Sequence, residues 1–282
     1  MSIEKIGVIG AGTMGHGIAQ VAALAGLEVV LVDVSDAALE RGRAALTASL
    51  DRLVKKEKLS AAEREAALAR VHPSTEYARL AGAGLVIEAA TEHLALKLRI
   101  LKQLADVVGP DALIATNTSS ISITELAAAL PAPERFVGLH FFNPVALMAL
   151  VEVITGLQTS EATRERTVAF ARRIGKTPIA VKNRPGFVVN RILIPMINEA
   201  IFVLQEGLAS AEDIDAGMTL GCNQPIGPLA LADLIGLDTV LAIMQVFGDG
   251  FDDPKYRPAP LLKEMVAAGR LGRKSGQGFY RY

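Results

Sequence analysis

Cysteine is almost absent from this chain of 282 residues, in which Cys222 is the single example. One cysteine excludes an intramolecular disulfide and any metal site built from several cysteines, and we expect no metal site. The surrounding sequence, LGCNQPIGP, holds no histidine that could act as a base for the thiol. We therefore expect Cys222 to pack as a small apolar residue rather than to react.

An excess of charge of either sign is missing as well. Lysine and arginine total 29, aspartate and glutamate total 30, and hydrophobic residues make up 51% of the chain against 21% for charged residues. This balance is typical of a globular protein. It makes nucleic acid and anionic membrane surfaces poor candidates for the main partner.

Long apolar runs are the third absence. No uninterrupted apolar stretch reaches the roughly 18 residues expected of a membrane-spanning helix. The first predicted strand, in KIGVIGAG, already begins at Lys5, which leaves no room for a signal or transit peptide before it. The sequence therefore predicts a cytoplasmic protein that does not cross a membrane.

Short apolar runs alternate with longer helical patterns through the first two thirds of the chain. The runs of strand length lie at residues 6–9, 29–32, 85–88, 113–116, 136–142, 150–154 and 178–181, and helical patterns such as 36–58 and 94–107 separate many of them. This alternation is typical of an α/β fold with a mostly parallel, doubly wound sheet of the Rossmann type.

Strand patterns disappear after Pro185, and long helical patterns dominate the rest of the chain. The segment NRPG, residues 183–186, combines polar residues with residues that interrupt regular structure. We therefore expect a nucleotide-binding domain over residues 1–184 and an all-helical domain over residues 185–282.

A glycine-rich turn follows the first predicted strand. The sequence GAGTMG lies between the strand KIGVI and the helix HGIAQVAALAG. Gly10 permits a tight turn, Gly12 lets the backbone approach a pyrophosphate, and Gly15 allows the helix to pack closely on the strand. Free N–H groups at the start of that helix would bind the phosphates. The residues expected to contact a dinucleotide here are Gly10, Ala11, Gly12, Thr13, Met14 and Gly15.

An acidic residue, Asp33, ends the second predicted strand, EVVLVD. A carboxylate at this place accepts hydrogen bonds from the adenosine ribose hydroxyls, and its charge repels a 2′-phosphate. The sequence therefore favours NAD over NADP. The structural alternatives are a plain strand-to-helix turn and a helix cap formed by Asp33.

His140 and Glu152 are the candidate catalytic pair. His140 ends the apolar run RFVGLH, and Glu152 lies in the next run, LVEVI, where an unpaired carboxylate would be costly to bury. If the two strands pair side by side, Glu152 can accept the Nδ1–H of His140, fix its tautomer and stabilise its protonated form. His140 would then be a general base for a substrate hydroxyl. A structural His–Glu pair at a sheet edge is the alternative.

The other histidines have simpler interpretations. His16 and His93 lie near predicted helix starts, and His72 lies in the predicted loop VHPST. We expect each of the three to be a surface or helix-start residue.

The motifs together resemble those of the bacterial 3-hydroxyacyl-CoA dehydrogenases. The similar stretches span nearly the whole chain and read IGVIGAGTMGHGIA, VIEAATEHLALK, TNTSSISIT, HFFNPV, LVEVI, PGFVVNRIL, PIGPLALADLIGLD and GRKSGQGFY. The resemblance implies an NAD-dependent enzyme that interconverts a short-chain 3-hydroxyacyl-CoA, such as 3-hydroxybutyryl-CoA, and the 3-oxoacyl-CoA. It also implies that His140 is the base and Glu152 its partner. The visible departure is Ala149, where relatives often carry lysine.

Further site residues are implied by the same resemblance. Ser119 and Asn190 would hold the substrate near the base. The implied cofactor contacts beyond the glycine turn are Asp33, Glu92, Lys97, Asn143 and Lys274.

These residues also have structural interpretations. Ser119 could only shape its loop, whereas Ser122 is explained by a helix cap with Glu125. Asn190 falls in the interior of a predicted helix, where asparagine is unfavourable, so we expect it to make a tertiary contact.

The charged residues predicted to contact a ligand also have structural interpretations. Glu92 could be a helix-start carboxylate, and Lys97 could be a solvated lysine. In the basic run RLVKKEKL, Lys56 is a candidate contact for the phosphates of CoA, although such runs are more often solvated helix faces.

Other functions remain open at this stage. A dehydrogenase of a free 3-hydroxy acid would need no CoA site and would typically use a lysine base, and a non-catalytic NAD- or CoA-binding protein would need no dyad. The pair of His140 and Glu152 argues against both. Longer substrates or 3-hydroxyadipyl-CoA would need much the same catalytic core. Apolar faces in ALADLIGLDTVLAIMQVF predict a homodimer.

Overall fold

The structure of the protein is a computed structural model, which describes residues 3–282. The chain divides into two compact units, of which the first ends at Arg184 and the second runs from Pro185 to Tyr282.

Among the described residues, one eight-stranded sheet forms the centre of the first unit. Its strands are Lys5–Ile9 (β1), Glu28–Val32 (β2), Val71–Ser74 (β3), Leu85–Glu88 (β4), Leu113–Thr116 (β5), Phe136–Phe141 (β6), Leu150–Thr155 (β7) and Thr177–Lys182 (β8). They lie in the order β3-β2-β1-β4-β5-β6-β7-β8. Neighbouring strands are parallel except β6 and β7, which are antiparallel. This mostly parallel sheet, followed by a helical second unit, confirms the predicted fold class.

Helices connect the strands of the first unit. They span Thr13–Leu24 (α1), Asp36–Lys55 (α2), Ala61–Ala69 (α3), Leu94–Ala105 (α4), Ile123–Ala127 (α5) and Glu161–Arg173 (α6), with 3₁₀ turns at Tyr77–Leu80 and Pro133–Arg135. Four serines begin helices by accepting a hydrogen bond from the N–H three residues later, namely Ser35, Ser60, Ser122 and Ser160. Each cap satisfies a backbone donor that the helix cannot, which fixes where the helix starts.

Two sequence-based expectations in this unit are wrong. The single helix expected over residues 36–58 ends at Lys55, and a second helix starts after the cap at Ser60. His72 lies in β3 rather than in a loop, and its Nε2 is 2.7 Å from Glu28 Oε2 of the neighbouring strand. The strand VHPS has no apolar alternation because it is an edge strand with two exposed residues.

The second unit is helical. Its helices span Val189–Gln205 (α7), Ala211–Ala216 (α8), Pro228–Ile235 (α9), Leu237–Phe251 (α10) and Pro260–Ala267 (α11), with a π-helical turn at Gly217–Gly221 and 3₁₀ turns at Pro254–Tyr256 and Arg273–Ser275. Its core is built around α10, whose Leu237, Val240, Met244 and Phe247 are fully buried.

The packing of this core determines which apolar residues could form the predicted homodimer interface. The apolar residues of α9 and α10 mostly pack inside their own unit, because α10 contacts α7, α9 and α11. The large apolar residues that do reach the surface of this unit include Ile192, Leu208, Leu220 and Leu234.

Cys222 is exposed, so the expectation that it packs as an apolar residue is wrong. It directly follows the π-helical turn and precedes Asn223, whose positive φ of 54° marks a tight turn. A turn of this kind lies at the surface, where its backbone groups can reach water.

Within the described residues, no individual helix has the length and hydropathy needed to cross a membrane. By length and composition alone, α9 and α10 meet that criterion together, as a pair bent by 97°.

Candidate active site

The carboxyl ends of β1, β2, β4, β5 and β6 lie along one edge of the sheet, because these strands are parallel. Ligands of open α/β sheets bind at this edge.

The glycine turn joins β1 to α1. Gly10 has a φ of +96°, and a Cβ on it would lie 2.6 Å from the Cα of Ala90. A Cβ on Gly15 would lie only 1.6 Å from the carbonyl oxygen of Gly10. Both glycines are thus required by the turn itself.

Gly12 is different, because nothing lies within 4 Å of the place that its Cβ would take. Its φ of −67° is open to any residue, and glycine has no side chain that could cap α1. The backbone here borders open space at the N-terminus of a twelve-residue helix. That arrangement fits a pyrophosphate, which needs close backbone approach and the free N–H groups of the helix.

Asp33 follows β2 and faces the same turn. Its Oδ2 accepts a hydrogen bond from the N–H of Ala11 at 2.6 Å, and its Oδ1 accepts one from Val34 at 2.7 Å. The cap of α2 is Ser35, so the helix-cap interpretation of Asp33 is wrong. A carboxylate beside the glycine turn at the end of β2 is the arrangement that suits the ribose of NAD.

His140 and Glu152 are opposite each other in the antiparallel ladder of β6 and β7. The distance from His140 Nδ1 to Glu152 Oε2 is 2.7 Å, and the two residues are 7% and 0% exposed. The imidazole thereby compensates a carboxylate that β7 places among fully buried neighbours, Val151 and Val153. Phe142 also packs on the imidazole, with ring centroids 4.6 Å apart.

Asn117, the residue after β5, binds the end of the strand that carries His140. Its side-chain oxygen accepts a hydrogen bond of 2.9 Å from the N–H of Phe141, the residue after His140. The end of β6 is therefore held by a side chain as well as by the sheet.

The Glu92 side chain accepts hydrogen bonds from the turn that follows β5. Its Oε1 lies 2.7 Å from the Thr118 hydroxyl, 2.8 Å from the N–H and 3.1 Å from the hydroxyl of Ser119, and 3.1 Å and 3.0 Å from the N–H and hydroxyl of Ser120. Ser119, a predicted substrate contact, is thus bound to Glu92, a predicted cofactor contact.

Beneath that turn lies a buried polar cluster of Glu88, Lys97 and Thr116. Glu88 Oε2 is 2.6 Å from Lys97 Nζ and 2.7 Å from the Thr116 hydroxyl, and Lys97 Nζ is 3.6 Å from Glu92 Oε2. Lys97 is 1% exposed, so the interpretation as a solvated lysine is wrong.

Glu88 of this cluster is not among the residues predicted from the sequence. A signal was present, because Glu88 ends the apolar strand LVIE in the way that Glu152 interrupts LVEVI. Glu88 is also in register with Thr116 of β5. A carboxylate in an apolar strand indicates a buried partner in both places.

A further buried cation, Lys176, was also missed. Its Nζ donates hydrogen bonds to the carbonyl oxygens of Val145 and Met148, the latter at 2.8 Å, in the loop between β6 and β7. Lys176 is 8% exposed, and burial lowers the pKa of its ammonium below the ordinary value of 10.5. The loop also contacts α1, because a Cβ on Gly17 would lie 2.8 Å from the Cβ of Val145.

The remaining predicted site residues lie outside these clusters. Asn143 is exposed in the loop after β6 and precedes a cis peptide bond to Pro144. Lys56 is exposed at the C-terminal cap of α2.

Two predicted site residues belong to the second unit. Lys274 Nζ forms an ion pair with Asp238, and both side chains are about two-fifths exposed, at 44% and 42%. Asn190 is the second residue of α7, so its predicted place in a helix interior is wrong. The helix begins at Val189, after the positive φ of Phe187.

Family models match both units of the chain. The model described as 3-hydroxyacyl-CoA dehydrogenase, NAD binding domain, matches residues 5–184, and the model described as 3-hydroxyacyl-CoA dehydrogenase, C-terminal domain, matches residues 186–282.

Similar proteins carry related names. The chain is 52% identical to the 3-hydroxybutyryl-CoA dehydrogenase of Bradyrhizobium diazoefficiens, over 99% of this chain and 96% of that one. It is 44% identical to the 3-hydroxyadipyl-CoA dehydrogenase of Escherichia coli, over 99% of this chain and 59% of the relative. The crystal structure of (S)-3-hydroxybutyryl-CoA dehydrogenase from Ralstonia eutropha superposes with a TM-score of 0.98 at 62% identity, over 100% of this chain and 99% of that one.

Proposed function

Because this chain belongs to the 3-hydroxyacyl-CoA dehydrogenase family and is an NAD-dependent enzyme, we propose that it interconverts 3-hydroxybutyryl-CoA and acetoacetyl-CoA. The names of relatives that match nearly its whole length support this substrate. The observation that carries the proposal is the 2.7 Å contact between His140 and Glu152, both buried and positioned by the sheet.

In this mechanism His140 exchanges the proton of the substrate hydroxyl. NAD supplies the acceptor for the hydride that leaves C3 in the oxidative direction. Since Nδ1 of His140 faces Glu152, Nε2 is the ring nitrogen that takes the hydroxyl proton. The carboxylate of Glu152 fixes the ring orientation and balances the positive charge that the ring acquires. In the reductive direction the same nitrogen returns the proton to the substrate oxygen.

Ser119 and Asn190 hold the substrate oxygen whose charge changes during the reaction. Hydrogen-bond donors aimed at such an oxygen stabilise the transition state more than the ground state. The contacts with Glu92 support this role for Ser119, because its N–H, bound to Oε1 at 2.8 Å, holds the residue in place while its hydroxyl hydrogen turns from Glu92 to the substrate oxygen. Asn190 contributes an amide from the first turn of α7.

The cofactor contacts follow from the same proposal. The turn from Gly10 to Gly15 binds the pyrophosphate, and Asp33 binds the adenosine ribose. The residues assigned to the remainder of the NAD site are Glu92, Lys97, Asn143 and Lys274. Lys56 contacts the phosphates of CoA, with its exposed position on α2 as support.

The helical unit binds substrate and forms a homodimer. Its exposed apolar side chains support an interface, since Ile192, Leu208 and Leu220 are 67%, 76% and 87% exposed. A molar mass of two chains in light scattering is the expected result, and the mass of one chain at micromolar concentration would contradict it.

A second substrate, 3-hydroxyadipyl-CoA, is favoured by one observation, the 44% identity to a relative with that name. The two substrates differ at the far end of the acyl chain, where the longer one carries a carboxylate. The ratio of kcat/KM for acetoacetyl-CoA and 3-oxoadipyl-CoA separates them, and we expect the four-carbon substrate to be preferred.

The proposed function is tested by following NADH oxidation with acetoacetyl-CoA, with free acetoacetate, and with the variant His140→Ala. We expect turnover of the thioester, none of the free acid, and loss of turnover in the variant. Turnover of the free acid alone would identify a hydroxy-acid dehydrogenase, and undiminished turnover by the variant would exclude the base. A wild-type chain that binds NADH and turns over neither compound would indicate a non-catalytic binding protein.

A further inference from the structure

Glu88 is a fully buried carboxylate with no part in the reaction just proposed. Its Oε2 faces Lys97 Nζ at 2.6 Å and the Thr116 hydroxyl at 2.7 Å, and its Oε1 accepts a hydrogen bond from the N–H of Ala90 at 2.9 Å. At 0% exposure the Glu88 side chain itself cannot reach a bound substrate or cofactor. Any influence of Glu88 on the chemistry must therefore pass through its neighbours.

Lys97 is the neighbour that carries a charge. It lies between two carboxylates, 2.6 Å from Glu88 and 3.6 Å from Glu92, and it is 1% exposed. Away from water, an ammonium without a close partner is strongly disfavoured. Glu88 provides that close partner, and Glu92 is the next one available.

Glu92 uses its two oxygens in different directions. Oε2 faces Lys97 at 3.6 Å, whereas Oε1 holds the turn of residues 118–120, including the hydroxyl of Ser119 at 3.1 Å. If Glu88 lost its charge, Lys97 would attract Glu92 into a direct ion pair. Closing that gap to a usual ion-pair distance would move the Glu92 carboxylate by about 1 Å away from the turn.

We propose that Glu88 is a positioning residue for the reaction: by pairing with Lys97, it leaves Glu92 bound to the turn of residues 118–120 and thereby fixes the position of Ser119. This inference rests on the proposed function, in which Ser119 contacts the substrate oxygen. Glu88 itself touches neither substrate nor cofactor. Its effect arises because the charge of Glu88 determines whether the Lys97 ammonium pairs with Glu88 or with Glu92.

A double-mutant cycle of Glu88→Gln and Ser119→Ala tests the proposal. Glutamine keeps the shape of the side chain and its acceptor for Ala90 but removes the charge. At saturating NADH and acetoacetyl-CoA, Glu88→Gln should lower kcat by about tenfold or more, the scale of a small misplacement of a substrate contact. In the Ser119→Ala background the same change should cost less than about twofold, because residues that act as one unit are not additive.

A purely structural role predicts a different result, since the two losses in kcat would then multiply in the double variant. That outcome would overturn the proposal. Thr116→Ser is the matched control, because it changes the packing beside Glu88 but keeps both charges and the hydroxyl that contacts Glu88, Lys97 and the N–H of Thr118. Its kcat should stay within about threefold of wild type, because the charges that position Glu92 are unchanged. Turnover by the wild type and by this control tests the proposed function separately.

Folding is measured by circular dichroism and thermal unfolding for each variant. Glu88→Asp is the second variant, because it keeps the charge on a shorter side chain. It should retain more of the wild-type kcat than Glu88→Gln and show the same non-additivity with Ser119→Ala. If neither variant folds, Glu88 is a folding residue only, and the positioning role is overturned.

Discussion

His140 and Glu152 face each other across β6 and β7, the antiparallel pair of the sheet, with Nδ1 and Oε2 2.7 Å apart. The register of the two strands sets this distance, so the pair does not depend on a flexible loop. Asn117 and Lys176 reinforce the arrangement by binding the end of β6 and the connecting loop. In the proposed mechanism this preorganised imidazole loses little by reorganisation when it takes a proton.

Glu152→Gln is expected to keep the fold and lose most of the activity. Glutamine has nearly the same volume, but it cannot balance the charge that His140 gains in the transition state. We expect kcat to fall by about 10²- to 10⁴-fold, the usual contribution of general acid–base catalysis, with a smaller change in KM. Steady-state kinetics with acetoacetyl-CoA measure this. A kcat close to wild type in a folded variant would show that the pair is only structural.

Gly12 and Gly15 lie in one turn, but replacing them with alanine should affect different properties. Gly12→Ala should weaken NADH binding, whereas Gly15→Ala should destabilise the fold. A methyl group on Gly12 enters open space, so the variant should unfold at the wild-type temperature. The same methyl blocks the approach of a pyrophosphate, so the Kd for NADH should rise by at least about tenfold. Fluorescence titration with NADH and thermal unfolding together measure both effects.

At Gly15 a Cβ would lie 1.6 Å from the carbonyl oxygen of Gly10, which no side-chain movement can relieve. Gly15→Ala should therefore lower the unfolding free energy by about 3 kcal/mol or prevent folding, as overpacking against backbone does. If Gly12→Ala bound NADH as tightly as wild type, the turn would not be the pyrophosphate site.

The fold class could be predicted because strand and helix alternate in the first two thirds of the chain, and buried parallel strands read as apolar runs. The partner of Glu152 could be predicted because a carboxylate in such a run needs compensation, and His140 lay within reach. These inferences need only local patterns and the cost of burying charge.

Features that depend on tertiary packing could not be predicted. Lys97 lies at a helix start whose sequence is typical of a solvated lysine, and its burial follows only from the contacts of its Nζ with Glu88 of β4 and Thr116 of β5. The apolar residues of α10 could have faced a partner or their own core, and the sequence does not distinguish the two. Cys222 was assigned from the average behaviour of cysteine, which does not hold in a turn.

The variant Lys274→Met distinguishes a role of this lysine in NAD binding from a role in folding. Its ion pair with Asp238 is about two-fifths exposed on both sides, at 44% and 42%, and exposed pairs contribute only about 0–1 kcal/mol. The thermal midpoint should therefore change little. If Lys274 contacts NAD, as proposed, the KM for NADH should rise while kcat is retained. A lowered midpoint with an unchanged KM would assign Lys274 to folding instead.

Lys176→Met should change how the free energy of unfolding depends on pH. Burial lowers the pKa of Lys176 in the folded protein below its ordinary value of 10.5. As pH rises between these two values, the unfolded chain holds more protons at this residue than the folded one, and the stability contribution of Lys176 increases. Below the folded pKa the desolvation cost of the ammonium is complete, although its hydrogen bonds to Val145 and Met148 offset part of it.

The variant lacks this titration. The difference in unfolding free energy between wild type and Lys176→Met should therefore move in favour of the wild type as pH rises toward 10.5. Urea unfolding at several alkaline pH values measures it, with the same substitution at exposed Lys58 as the control for losing a charge. A difference that stays constant with pH, or that moves toward the variant, would mean that the hydrogen bonds to Val145 and Met148 stabilise the ammonium at least as much as burial destabilises it.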